Sequence, residues 1–120
     1  MSGRSQSGQA SVELVLVLPV LLTLGLVLVQ GVAVLRDQLT VVHAAREAAR
    51  AASVAGDPVE AEAATTAVLP GASVHIGARP VPGELLAVTV RYRSRTTMPV
   101  VGRLIPDPLL TARAVMRVEQ

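Results

Sequence analysis

Glu13 is the carboxylate whose position is chemically costly. It stands at the border of Leu14–Leu35, a run of 22 residues without a charge. An ionised group loses its hydration in an apolar surrounding, so Glu13 must stay in the interface or find a cation. As a solvated acid at a helix start it would instead complement the helix dipole. Five residues earlier lies Gly8, a small residue that closes a polar leader. Cleavage after Gly8 would keep the apolar run on the mature chain and put Glu13 fifth from a new terminus at Gln9. Secretory signals place their small-residue cleavage site after the apolar core, not before it. The remaining reactive side chains are scattered. His43 and Glu47 are one helical turn apart but lack a third ligand, and a solvated helix pair explains them. His75 stands alone. With no cysteine there is neither thiol chemistry nor a disulfide framework. There is no Ser/His/Asp set, no paired carboxylates flanking a cleft and no Gly-rich phosphate loop. The chain reads as a non-enzyme without metal, cofactor or small-molecule substrate.

The element that positions Glu13 is the run that follows it. At about 1.5 Å of rise per residue, 22 residues reach about 33 Å, enough to cross a hydrocarbon core of about 30 Å. Only Thr23 and Gln30 are polar within it. A buried helix of a soluble protein would need wrapping on every side, and the rest of the 120-residue chain is too small and too alanine-rich for that. Pro19 removes one backbone hydrogen bond inside the span, and a kink is expected there. Met1–Gly8 reads as a disordered leader.

Beyond Arg36 the helical pattern continues to about Ala55, where Gly56-Asp57-Pro58 stops it. Val41, Ala45, Ala48, Ala52 and Ala55 form a stripe of small side chains on one side. Asp57 suits an N-cap, Pro58 a first turn and Glu60 the reciprocal capping position, so a short second helix precedes Pro70-Gly71. The period then changes to alternation around Val74–Ala78, Leu86–Tyr92 and Leu110–Val118, three half-buried strands. Pro80-Val81-Pro82-Gly83 makes a turn between the first two, and the loop Arg95–Pro108 joins the second to the third. The fold class is α+β: a long N-terminal transmembrane helix extended beyond the membrane, a short second helix and a small antiparallel sheet of about three strands. Arg91, Arg93, Arg95, Arg113 and Arg117 share the polar sheet face with few counter-charges, Glu84 and Glu119 being the obvious ones. That face is either solvated or a docking surface for acidic groups. A net charge of +2 and a single aromatic residue, Tyr92, argue against nucleic acid as a partner.

The stretch Gly8-Gln9-Ala10-Ser11-Val12-Glu13, followed by apolar residues with Pro19 in the second turn, resembles the class III signal of type IV pilin-like proteins. More closely it resembles the TadE-like family, minor pseudopilins of the tight-adherence (Flp) pilus machinery. The similarity resumes at Ala44-Ala45-Arg46-Glu47-Ala48-Ala49-Arg50 and at Ala112–Glu119. Gln9 is not the Phe of many type IV pilins, and Leu14 stands where Flp-type major pilins tend to have Tyr. Both departures favour a pseudopilin over a major pilin.

The resemblance implies a prepilin-type leader over 1–8, an N-terminal transmembrane helix with its extension over 9–55, and a small extracytoplasmic α+β domain over 56–120. It implies a prepilin peptidase that cuts between Gly8 and Gln9. The freed Gln9 amine, on the same chain or on a neighbour, becomes the partner of Glu13 in subunit assembly. The expected partners are the membrane, that peptidase, other pilins or pseudopilins and Tad assembly proteins. Arg4 ahead of the span and Arg36, Arg46 and Arg50 behind it give no charge preference for a cytoplasmic N-terminus; the resemblance supplies that orientation, with the possibility of extraction into a pilus. The alternative is an unprocessed, signal-anchored protein whose outer domain binds a partner.

Overall fold

The computed structural model describes residues 3–78, 81–96 and 101–118. Its elements are α1 (Gly3–Ala55), α2 (Pro58–Val68), β1 (Ser73–Ile76), β2 (Leu85–Arg93), α3 (Val101–Leu104) and β3 (Leu109–Arg117). Two compact units result, one of Met1–Val32 with Thr96–Pro106 and one of Ala33–Arg95 with Asp107–Gln120. The expected α+β order is the one observed: a long apolar N-terminal helix, a short helix, then three antiparallel strands.

In the second unit the strands lie in the order β1-β2-β3 with both pairs antiparallel. Val74 pairs with Val90 on one side of β2, and Val90 pairs with Ala112 on the other. Because side chains alternate along a strand, this register puts Leu86, Val88 and Val90 on one face with Leu110 and Ala112. Against that face α1 lays Val41, Ala44, Ala45, Ala48, Ala49 and Ala52, all buried. Their spacing of three and one is that of a helical stripe. Five of the six are alanines, so the helix contributes little apolar area of its own to the contact. Such a core is thin, and fully buried Val41, Val88 and Val90 carry much of it, at about 1.5–3 kcal/mol per side chain.

The stripe is wider than the sequence pattern suggested and also shorter. Ala44 and Ala49 belong to it, whereas Ala55 is exposed, because α1 ends there. Gly56 follows at φ 64, a left-handed conformation that glycine adopts without steric cost. Asp57 then caps α2, its Oδ1 accepting the Val59 N–H at 3.0 Å, and Ala61 and Thr65 turn inward to the core. At the other end, the leader expected to be disordered is helical from Gly3. Gly3–Gly8 contains no proline or β-branched residue, and extending a helix that already exists requires no new nucleus.

Gly83, at φ 93, makes the turn into β2 and donates its N–H to the Val118 carbonyl at 3.1 Å. Pro80, expected in that turn, lies outside the described residues, as does Pro99 of the longer loop. Within that loop the structure adds α3, a single turn of helix that the proline-rich sequence did not signal. A second tie was also unforeseen. Ser94, 1% exposed, donates its Oγ to the Asp37 carboxylate, which joins the exit of β2 to α1. The Ser94 N–H bonds the Pro108 carbonyl at 3.0 Å, so one residue holds helix, strand end and loop.

Two outcomes follow for unfolding of the full chain in detergent, followed by circular dichroism. Ala48→Leu overfills the helix–sheet contact and should destabilise this unit by about 1–3 kcal/mol, whereas Ala55→Leu should be nearly neutral. Ser94→Ala should cost about 1–3 kcal/mol, since it removes a bond to a charged, partly buried acceptor.

Candidate processing and assembly site at the membrane edge

From Gly8 to Gly25 every side chain of α1 is exposed. Nothing lies within 4 Å of where a Cβ on Gly8 would stand, so its backbone is open to a binding partner. Gln9 and Glu13 are four residues apart in one helix. That spacing brings side chains onto the same face, with Cβ atoms about 5–6 Å apart.

Pro19 sits inside α1 without ending it. Having no N–H, it leaves the Val15 carbonyl without its usual donor. One turn later the Thr23 Oγ1 donates to the Pro19 carbonyl at 2.8 Å. That bond satisfies the Thr23 hydroxyl within the helix itself, where an apolar medium offers it no water.

The apolar side chains on either side of Pro19 are exposed, as with Leu16 at 69% and Leu22 at 62% exposure. This stretch is long and apolar enough to cross a membrane, and none of its most apolar window is buried. Gln30 is the exception. It is 5% exposed, and its Nε2 has no acceptor among the described residues. The sequence marked Gln30 only as a polar interruption.

The other chemistry-bearing residues are not brought together. His43 is exposed and Glu47 half-buried, and among the described residues no three His, Asp or Glu side chains stand close enough to share a metal ion. A cavity of about 130 Å³ lies near the end of α1, lined by Ala52, Gly56, Ile76, Leu86, Val118 and the already engaged Asp57. Its wall has no nucleophile. His75 lies exposed on the open sheet face beside Ser73, Thr89 and Arg91. Arg91, Arg93, Arg113 and Arg117 are exposed on that same face, while Arg95 follows the end of β2. Glu119, expected as a counter-charge, lies outside the described residues. As far as Gly25 the N-terminal part of α1 presents an accessible glycine, a carboxylate and exposed apolar side chains.

Residues 8–50 match the model of a family described as TadE-like protein. The matched stretch begins at Gly8 and takes in Glu13, Pro19, the apolar run and α1 as far as Arg50. No curated protein and no solved structure matches the chain.

If the buried Gln30 amide is a cost to the fold, Gln30→Leu should preserve membrane insertion and raise stability by about 1 kcal/mol, the desolvation penalty of one unmet donor. Thermal unfolding in detergent measures this. A loss of stability would show that the amide is engaged in the membrane.

Proposed function

We propose, from the premise that the chain belongs to the TadE-like family through residues 8–50, that it is a minor pseudopilin of a tight-adherence pilus or a related secretion system. The family match supports a pilus-related protein, and one N-terminal apolar helix among the described residues supports a single-pass membrane protein. The finer reading concerns what happens at Gly8. A prepilin peptidase hydrolyses the Gly8–Gln9 peptide bond, with water supplying the hydroxyl of the new carboxylate and a proton for the new amine. Gly8 suits such an enzyme because no side chain hinders approach to its carbonyl. The preceding helical residues form a terminal turn, which frays readily and can be drawn out into the extended form a peptidase binds.

Hydrolysis leaves a cationic amine on Gln9 at the start of a helix whose fifth residue is Glu13. The amine alone adds positive charge where the helix dipole is already positive; Glu13 offsets both. At the membrane edge the pair is poorly hydrated, so an unmatched member is costly and a matched one directs assembly. The partner amine belongs to the same chain or to a neighbouring subunit. In this reading the N-terminus faces the cytoplasm before trimming, residues 36–120 lie outside the membrane, and Leu14–Leu35 packs beside other apolar helices of the machinery. The observation that carries the proposal is the conjunction of an open Gly8, Glu13 five residues on, and an apolar helix whose side chains are exposed as far as Gly25.

Intact mass of the chain, produced beside a prepilin peptidase and the other pilus components, tests each step. The wild type should lose residues 1–8. Gly8→Val should insert in the membrane but keep its leader. Glu13→Gln should be inserted and trimmed, yet co-purify with other pilus components at least tenfold less, because only charge is lost. A wild-type chain retaining residues 1–8 would favour the unprocessed, signal-anchored alternative. Wild-type co-purification of Glu13→Gln would refute the pairing.

A further inference from the structure

The sheet has two faces of different character. One is covered by α1; the other carries Arg91, Arg93, Arg113 and Arg117, and its neighbours in register are Ser73, His75, Thr89 and Thr111, none of them acidic. Between these arginines lie Leu85 at 65% and Val115 at 49% exposure. Half-apolar sheet faces are usually covered by a second layer, and no described residue of the unit supplies one here.

The segment that carries α2 has the opposite sign. From residue 51 to 78 the charged residues are Asp57, Glu60 and Glu62, with no arginine among them. Glu60 and Glu62 are exposed on α2, together with Val59 at 67% exposure and Ala63. Since Ala61 and Thr65 point from α2 into the core that the inner sheet face also lines, the outward side of α2 and the open sheet face look away from each other. One chain cannot bring them together, but two copies can.

We propose that this unit makes a head-to-tail contact with a second copy of the same chain, the arginine-bearing open sheet face of one receiving the acidic outward face of α2 of the next. Arginines meet Glu60 and Glu62 in charge-assisted hydrogen bonds, while Val59 and Ala63 cover Leu85 and Val115. The contact joins different patches of the two partners, so it does not close on itself as a two-fold dimer does. Repeated, it generates a ring or a helical row of copies. The contact extends the assembly reading above but does not depend on leader removal, because every residue in it lies beyond the span.

Full-length chains with two different tags, mixed in detergent, test the contact by capture of one tag and detection of the other. Capture should fall at least tenfold between about 0.05 M and about 1 M NaCl, where the screening length shrinks to about 3 Å. The double variant Arg91→Glu, Arg113→Glu should lose self-capture, and so should Glu60→Arg, Glu62→Arg. A mixture of these two variants should regain it, since each then offers what the other lacks; that recovery also shows both to be folded. Glu60→Gln with Glu62→Gln, which spares the helix start from added positive charge, should weaken capture in the same direction. Gly8→Val should capture as wild type, which separates this contact from processing. Salt-insensitive capture, wild-type self-capture by either reversed variant, or no recovery in the mixture would overturn the proposal. So would arginine reversal that abolishes binding to vesicles containing phosphatidylglycerol while sparing self-capture, since the face would then read lipid headgroups.

Discussion

The packing of one stripe of α1 against the inner face of the sheet is the constraint on which the folded unit depends. Alanines at 44, 45, 48, 49 and 52 share one buried core with Leu86, Val88 and Val90. Alanine loses no side-chain entropy on burial and favours the helix, so the stripe supports its own secondary structure while it packs. The cost is a small apolar area per residue. A chain with one aromatic side chain cannot recover that area with a bulky plug, and instead adds polar ties at the periphery: Ser94 to Asp37, and the Gly83 and Glu84 backbone to Val118. Each ties down an end of a strand.

The other half of α1 obeys a different solvent. Leu14–Leu35 would be an untenable surface in water, where exposed apolar area is disfavoured by about 25 cal/mol per Å². In lipid the same surface is matched, and helical hydrogen bonding satisfies the backbone within the segment. One helix thus has an apolar stretch that suits a bilayer and a stripe that suits a sheet. Glu13 marks the beginning of the first and Asp37, just past Arg36, the beginning of the second. The charges bracket the apolar run because neither tolerates its interior.

Outside the span, charge is sorted by element. α2 is acidic, and β2 and β3 are basic on the face away from the core. Arginine on the edge strand β3 also discourages random edge-to-edge pairing between sheets. The same residues that keep the edge from unspecific pairing give the open face a sign, and with it a preference among partners.

Periodicity alone determined the long apolar helix, its end at Gly56-Asp57-Pro58, the short capped helix and the three alternating segments, because each depends on local spacing and capping. The membrane-edge segment was equally legible, since Gly8, Glu13 and the uncharged run after them are contiguous in the chain, and the TadE-like match over residues 8–50 covers the same stretch. Tertiary structure decided what contiguity cannot encode. Ala44 and Ala49 are core because residues distant in sequence gather around them, and Ala55 is not because the helix ends there. The Ser94–Asp37 tie joins residues 57 positions apart, too far for any sequence pattern to pair. That the arginine face lies open, with α2 turned away from it, follows from which side of the sheet α1 occupies. Alternation divides a strand into two faces, but only the packing of another element says which of them meets water.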